Sequence, residues 1–313
     1  MSEDARGTIF FTCVSEHGQV KRARLLLESL RAFGGNLSDS EFWVLEADPE
    51  LASCESLAEF GAEVVPFQVA AEVDDYLFAS KVSACAFAEA RANRDDRGTS
   101  GGHRRPVSCL CWLIPECLVL RPPSFLRLSA ECDVAVRPVH IRNVGLPAND
   151  EPDAFWRGVF DEVGEPDRSF TVRSFVEDER IRPYFNSAAF AFDPRLGLMR
   201  DWLVHFGSMV RDGPFQERAC PDTLHRVFLH QAVLSALIAV RVERRRVREL
   251  PPEYGYPYNL HDRVPEERRV VSLDDTVLPI YEERPVDPRL VDDIGIGEPL
   301  RSWLLERTGH AER

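Results

Sequence analysis

Apolar and polar positions alternate along the first part of the chain in blocks whose period switches between that of a strand and that of a helix. Residues 8–14, TIFFTCV, are a β-branched and aromatic run suited to a first buried strand. After a polar loop at 15–19, Ala23, Leu26, Leu27, Leu30 and Phe33 keep helical spacing, and Gly34 and Gly35 stop the helix. Residues 42–45, FWVL, predict a second strand, followed by the acidic Glu46 and Asp48; 51–60 predict a short amphipathic helix and 62–67 a third strand. Strand and helix in alternation predict a doubly wound, mostly parallel sheet. The chain centres on residues 107–123, VSCLCWLIPECLVLRPP. Its apolar run breaks at Pro115 and Glu116, resumes at 118–120 and closes on Arg-Pro-Pro, as a strand buried on both faces does. In an open α/β sheet, the polar break at the carboxyl end of such a strand is where a ligand binds.

The remaining pattern fills in around that strand. Residues 78–91 read as a helix of small residues with Lys81 near its start, and 93–105 as a Gly-rich polar loop. A short helical turn at 125–128 and a strand at 132–137 follow. Residues 143–169, rich in Pro, Asp, Glu and Gly, break the periodicity and predict a lid or binding loop. Residues 183–202 combine an apolar strand with a helix carrying Trp202; 222–238 read as a buried helix; 270–281 as the last strand and 300–305 as a C-terminal helix. The expected organisation is one domain over 1–285 with a helical extension over 286–313.

Composition narrows the function classes. A net charge of -14 argues against broad contact with nucleic acid or anionic membrane, which are themselves negative. The eight cysteines lie mostly inside apolar runs, as reduced core thiols of a cytoplasmic protein do, and Cys109, Cys111 and Cys117 lack zinc-ligand spacing. No apolar stretch reaches the roughly 20 residues that span a bilayer. The loop at 93–105 lacks the Lys-Ser/Thr ending of a P-loop, and neither a Gly-x-Ser-x-Gly elbow nor a Gly-x-Gly-x-x-Gly turn occurs, so kinase, hydrolase and dehydrogenase readings have no support.

Four phrases carry chemistry. In the first, WLIPECLVLRPP, Glu116 is a carboxylate at the strand's end. In the second, PYFNSAAFAF, Asn186 and Ser187 precede an apolar strand, and an Asn amide offers both donor and acceptor to a ligand. The third places His230 and Gln231 on the buried helix, His being suited to acid or base work. His225 and His230, five apart, do not share a helix face as a zinc pair would. The fourth runs from the basic 241–248, RVERRRVR, into LPPEYGYPYN.

By order and spacing these phrases resemble the GT-A type glycosyltransferases, the nucleotide-diphospho-sugar transferases, and within them the glycogenin-like group. The resemblance covers roughly residues 7–285 and implies a Rossmann-like, mostly parallel twisted sheet flanked by helices. It implies transfer of a sugar from a nucleotide sugar, most simply a UDP-sugar, to an acceptor that nothing identifies. Cys13, Val14 and Ser15 take the place of the loop that cradles the base, and Lys81 that of a basic residue reaching the donor. Asn186 and Ser187 match the family's Phe-Asn-Ser/Thr-Gly, with Ala188 for Gly, and Tyr258 and Asn259 match Leu-Pro-x-x-Tyr-Asn. Glu116, His230 and Gln231 become the candidate catalytic residues. The chain departs from the family where metal chemistry sits: the two aspartates of Asp-x-Asp fall on Ile114 and Glu116, His230 stands for the Asp of Asp-Gln, and Leu278 to Tyr281 lack the metal-binding His. Mn²⁺ or Mg²⁺ is the cation the family implies, with Glu116 its surviving ligand. Where that ligand set is thinned, fixed cations such as Lys81 and Arg246 can stabilise a leaving diphosphate. Loss of the same residues is also what a non-catalytic binding or scaffold relative predicts.

Overall fold

The first apolar run forms β1 (Thr8–Val14), buried at every position. The structure is a computed structural model that describes residues 7–48, 50, 53–95, 106–280 and 294–308. α1 (His17–Phe33) follows, then β2 (Glu41–Glu46), β3 (Glu63–Pro66) and α2 (Ala79–Asp95). β4 (Cys109–Leu113) is the predicted central strand, and β5 (Val134–Pro138), α3 (Ala154–Val163) and the small hairpin of β6 (Val172–Arg173) and β7 (Arg180–Ile181) come next. β8 (Phe185–Phe192), α4 (Leu198–Arg211), α5 (Gly213–Ala219) and α6 (Thr223–Arg241) lead to β9 (Val247–Glu249). β10 (Tyr254–Pro257), β11 (Leu278–Ile280) and α7 (Leu300–Thr308) end the described chain.

Seven strands make the main sheet in the order β3-β2-β1-β4-β8-β5-β9. β1 runs parallel to β2 and β4, and β9 parallel to β5, but β8 lies antiparallel between β4 and β5. The mostly parallel sheet of the sequence reading is therefore present, with one reversed strand. Alternate residues feed opposite faces. Phe11, Trp43, Trp112 and Phe190 pack with α2, α3, α4 and α6, whereas Phe10, Val44, Cys111 and Ala191 pack with α1. Covering on both faces is why β4 reads CLCWL, with no polar alternation.

Several expectations are corrected. Residues 143–169 are not a structureless lid: Asp153 caps α3 by accepting from the N–H of Trp156, and Phe155, Trp156, Val159 and Phe160 bury a helical stripe. The second apolar step after β4 is not a strand of the sheet; Leu118 and Leu120 are buried beside β10, and the Leu120 N–H donates to Val277 O. The helix expected at 51–60 is a 3-10 turn, Glu55–Phe60, whose first expected positions lie outside the described residues. Most of the loop at 93–105 and the boundary at 285 also lie outside them, as does Tyr281, and the last strand shrinks to β11. α7 docks on α1 through Trp303 against Phe33 and Arg307 on Glu28. Among the described helices α6 alone has the length and composition to cross a membrane, contrary to the sequence reading, yet Leu229 through Ile238 are packed within the core.

The helix that carries Lys81 is fixed by a buried carboxylate. Glu89 of α2 accepts from the N–H groups of Met199 at 3.1 Å and Arg200 at 2.9 Å, so it caps α4 from a neighbouring helix. Burial lifts its carboxyl to about 7, against the pull of those two donors. Replacing Glu89 with Ala strands two N–H groups, and Glu89→Ala is expected to lower stability by about 2 kcal/mol. Urea denaturation reads the loss, and Glu89→Gln, which keeps one acceptor oxygen, should lose less.

Candidate functional site

The reversed strand brings the start of β8 to the carboxyl end of β4. Leu113 pairs with Ala189, and the N–H of Ile114 donates to Ala188 O. Ile114 to Cys117 then form a tight turn closed by the Cys117 N–H on Ile114 O, with Pro115 at the position whose fixed φ suits such a turn. The turn leaves Glu116 buried, 2.7 Å from Nη1 of Arg22 on α1.

Beside it sits a polar group enclosed by four elements. Lys81, in the first turn of α2, is 9% exposed and places Nζ 3.2 Å from Ser187 Oγ and 3.3 Å from His230 Nε2. Ser187 Oγ is 3.0 Å from the same nitrogen, and Gln231 Oε1 accepts from the Ser187 N–H at 3.2 Å. Trp112 of β4 fixes this strand from below, its Nε1 donating to Ser187 O. His230 Nδ1 lies 2.8 Å from Val227 O, so it carries the proton and Nε2 is left as the acceptor for Ser187 and Lys81. The sequence left His230 open to acid or base work or to hydrogen bonding alone; burial, aided by the charge of Lys81, holds its pKa well below the ordinary histidine range.

Phe78 covers the group. Its ring stacks on that of His230 at 4.4 Å, Lys81 Nζ lies 4.6 Å from its centroid, and more than a third of the residue stays exposed. Its φ of 65° is one a bulky side chain rarely adopts.

Chain comparisons bear on this frame. No protein-family model and no curated protein matches the chain. Among solved structures, the galactosyltransferase LgtC in complex with donor and acceptor sugar analogs is similar over 96% of this chain and 95% of its own, at 12% identity and a TM-score of 0.51. An active-site variant of LgtC, a Gln changed to Glu, gives 0.54 at 11% identity over the same shares. The apo bifunctional glycosyltransferase WbbM gives 0.51 at 11% identity over 98% of this chain, which spans 52% of it. This chain has the GT-A glycosyltransferase fold.

Within the GT-A fold, Lys81, Ser187, His230 and Gln231 stand in mutual contact, and Glu116 lies close enough to Lys81 for its charge to be felt. Asn186 is half-buried and turns its own chain, Oδ1 accepting from the Ala188 N–H at 2.7 Å. Cys13 and Val14 are buried at the end of β1, and Ser15 is held by Gln19, whose Oε1 takes its N–H at 2.8 Å. Tyr258 packs with Leu118 and Leu120, while Asn259 is exposed. Arg246 is not brought to the group. It precedes β9 at the amino end of the parallel strands, its guanidinium paired with Asp133.

Arg22 and Phe78 went unnoticed in the sequence. Arg22 shares its stretch with Lys21 and Arg24, so nothing in the pattern separates it, and a lone aromatic ahead of a helix reads as core. The Mn²⁺ or Mg²⁺ of the resemblance finds no fitting ligand set. Ile114 is apolar, Glu116 is taken by Arg22, and among the described residues no three His, Cys, Asp or Glu side chains stand together to hold an ion.

Burial pulls the Lys81 pKa down to about 8 from 10.5, nearby thiols and Glu116 pulling the other way. Between those two values the unfolded chain holds a proton that the folded chain has released, so stability rises with pH across that window. Below about 8 the buried ammonium is a constant cost, on the order of 3 kcal/mol at most. Lys81→Met removes that cost, so its stability relative to wild type should be highest near pH 7 and fall as pH approaches 10. Thermal melts at the two pH values check this; a difference independent of pH overturns it.

Proposed function

We propose that the chain transfers a sugar from a nucleotide-diphosphate sugar, a UDP-sugar in the first instance, to an acceptor hydroxyl, without resident metal. The observation that carries the reading is the buried Lys81 at the carboxyl end of β4, in contact with Ser187 and His230 on a GT-A frame. In the reaction the bond from the anomeric carbon to the diphosphate breaks, the acceptor oxygen bonds that carbon, and the diphosphate leaves with the electron pair and takes up the proton that the acceptor hydroxyl releases. A fixed ammonium in a low-dielectric site stabilises that developing charge, as a metal does elsewhere. Ser187 and the neutral His230 hold the ammonium in position, and Gln231 and Asn186 orient sugar hydroxyls. LgtC likewise has a Gln in its active site. The eight free thiols, all buried, suit a reducing compartment, and we place the enzyme in the cytoplasm.

A second reading, a binding protein without turnover, is favoured by the Arg22–Glu116 pair, which occupies the carboxylate that the family resemblance assigns to metal. Glu116→Ala and Asn186→Ala separate the two: loss of transfer with an intact melt supports the enzyme.

Calorimetry with UDP and UDP-sugars should give binding whose affinity changes less than about threefold on adding Mn²⁺. Lys81→Met should weaken it roughly tenfold, the value of one charge-assisted hydrogen bond. Absence of binding with and without Mn²⁺ removes the transferase reading.

A further inference from the structure

One cavity gathers four arginines on its wall. It has a volume of about 490 Å³ and lies at the carboxyl ends of β5 and β9 beside the β6–β7 hairpin, where Arg137, Arg173, Arg180 and Arg268 line it with Thr171 and Glu249. In a chain of net charge -14, four guanidiniums around one space need an account.

Their neutralisation is incomplete. Arg173 and Arg268 share a single carboxylate, that of Asp178. Glu249, the acid on the wall, is already taken by Arg244 at 2.7 Å. Arg180 donates from Nε to Thr171 Oγ1 at 3.0 Å and meets no carboxylate among the described residues. Arg137 is the unusual member. It is 4% exposed, spends Nη1 on the carbonyls of Leu250 and Pro251, lays its plane 3.8 Å from the centroid of Phe175, and leaves Nε and Nη2 without any partner. Glu253 and Glu249 are near enough for their charge to act on Arg137, but no carboxylate among the described residues touches it, and a buried guanidinium with two unpaired N–H groups is expensive unless an anion completes it. Arginine's planar fork matches the oxygens of phosphate or carboxylate.

Arg137 sits opposite Asn186 in the β5–β8 register, so its side chain leaves the sheet on the face away from that on which Ser187 meets Lys81. We infer that this cavity binds the oxyanion of a phosphate- or carboxylate-bearing small molecule, a charged sugar in the first instance. That the ligand is a sugar rests on the transferase reading; the anion preference does not.

The test is calorimetry of the full chain with glucose 6-phosphate, glucuronate and glucose, in wild type, Arg180→Glu and Arg137→Met. Arg180 is exposed, so Arg180→Glu should fold normally, which its melt will confirm; Arg137→Met is the stricter variant. Wild type should bind at least one of the two anionic sugars ten times or more tightly than glucose, with Arg180→Glu abolishing the difference and leaving UDP affinity unchanged. Equal binding of charged and neutral sugars, or an anion preference that survives Arg180→Glu, overturns the proposal. If UDP fails to bind wild type while the anion preference holds, the transferase reading falls and the anion site stands.

Discussion

A lysine ammonium held away from water is the constraint on which the candidate site depends. Burial alone favours its neutral form, and the protein answers with contacts from three directions: Ser187 from the sheet, the acceptor nitrogen of His230 from α6, and the ring of Phe78 from the turn ahead of α2. Each supporter has a supporter. His230 keeps Nε2 as an acceptor because Nδ1 gives its proton to Val227 O, and Ser187 is held by Gln231 and by the indole of Trp112. The group is therefore preorganised, and a preorganised charge needs no rearrangement as an anion leaves.

Sheet topology supplies the meeting point. With β8 reversed between β4 and β5, its first residues arrive where β4 ends, so a strand's beginning and a strand's end share one rim. The same reversal sets Asn186 against Arg137, so Arg137 and Ser187 leave this end of the sheet on opposite faces. One topological feature thus accounts for two cationic sites on an acidic protein.

The layers of this fold were legible because burial on two faces writes itself plainly. TIFFTCV, CLCWL and the apolar half of α6 read as core and are core. Lys81, Ser187, His230 and Gln231 were legible as residues from the phrases that hold them, though their contact with one another was not. The stripe of α3 was hidden by the prolines and acids around it, although Phe155, Trp156, Val159 and Phe160 already had helical spacing. Arg246 misled for a different reason. A dense basic run attracts notice, but its members pair with nearby acids such as Asp133, Glu243 and Glu249 at the far end of the strands. Arg137 carried the opposite signal, a single arginine closing the strand VAVRP, and isolation in an apolar strand was the mark of a charge put there for a ligand or a fold contact.

That contrast separates charge that is solvated from charge that is stored. Arg168, Arg245 and Arg200 meet carboxylates at the surface, where such pairs contribute little and screening by salt is strong. Lys81 and Arg137 sit where screening is weak, so each acts on an approaching anion more strongly than a surface charge would, and each is held by carbonyls, hydroxyls or rings with no directly contacting carboxylate among the described residues, although Glu116 and Glu253 act on them from further off. A carboxylate partner would stabilise either cation better and would also cancel the field it presents. Neutral supporters keep the field, at the expense of stability, and that choice at two positions is the physical argument behind the two anion sites we propose.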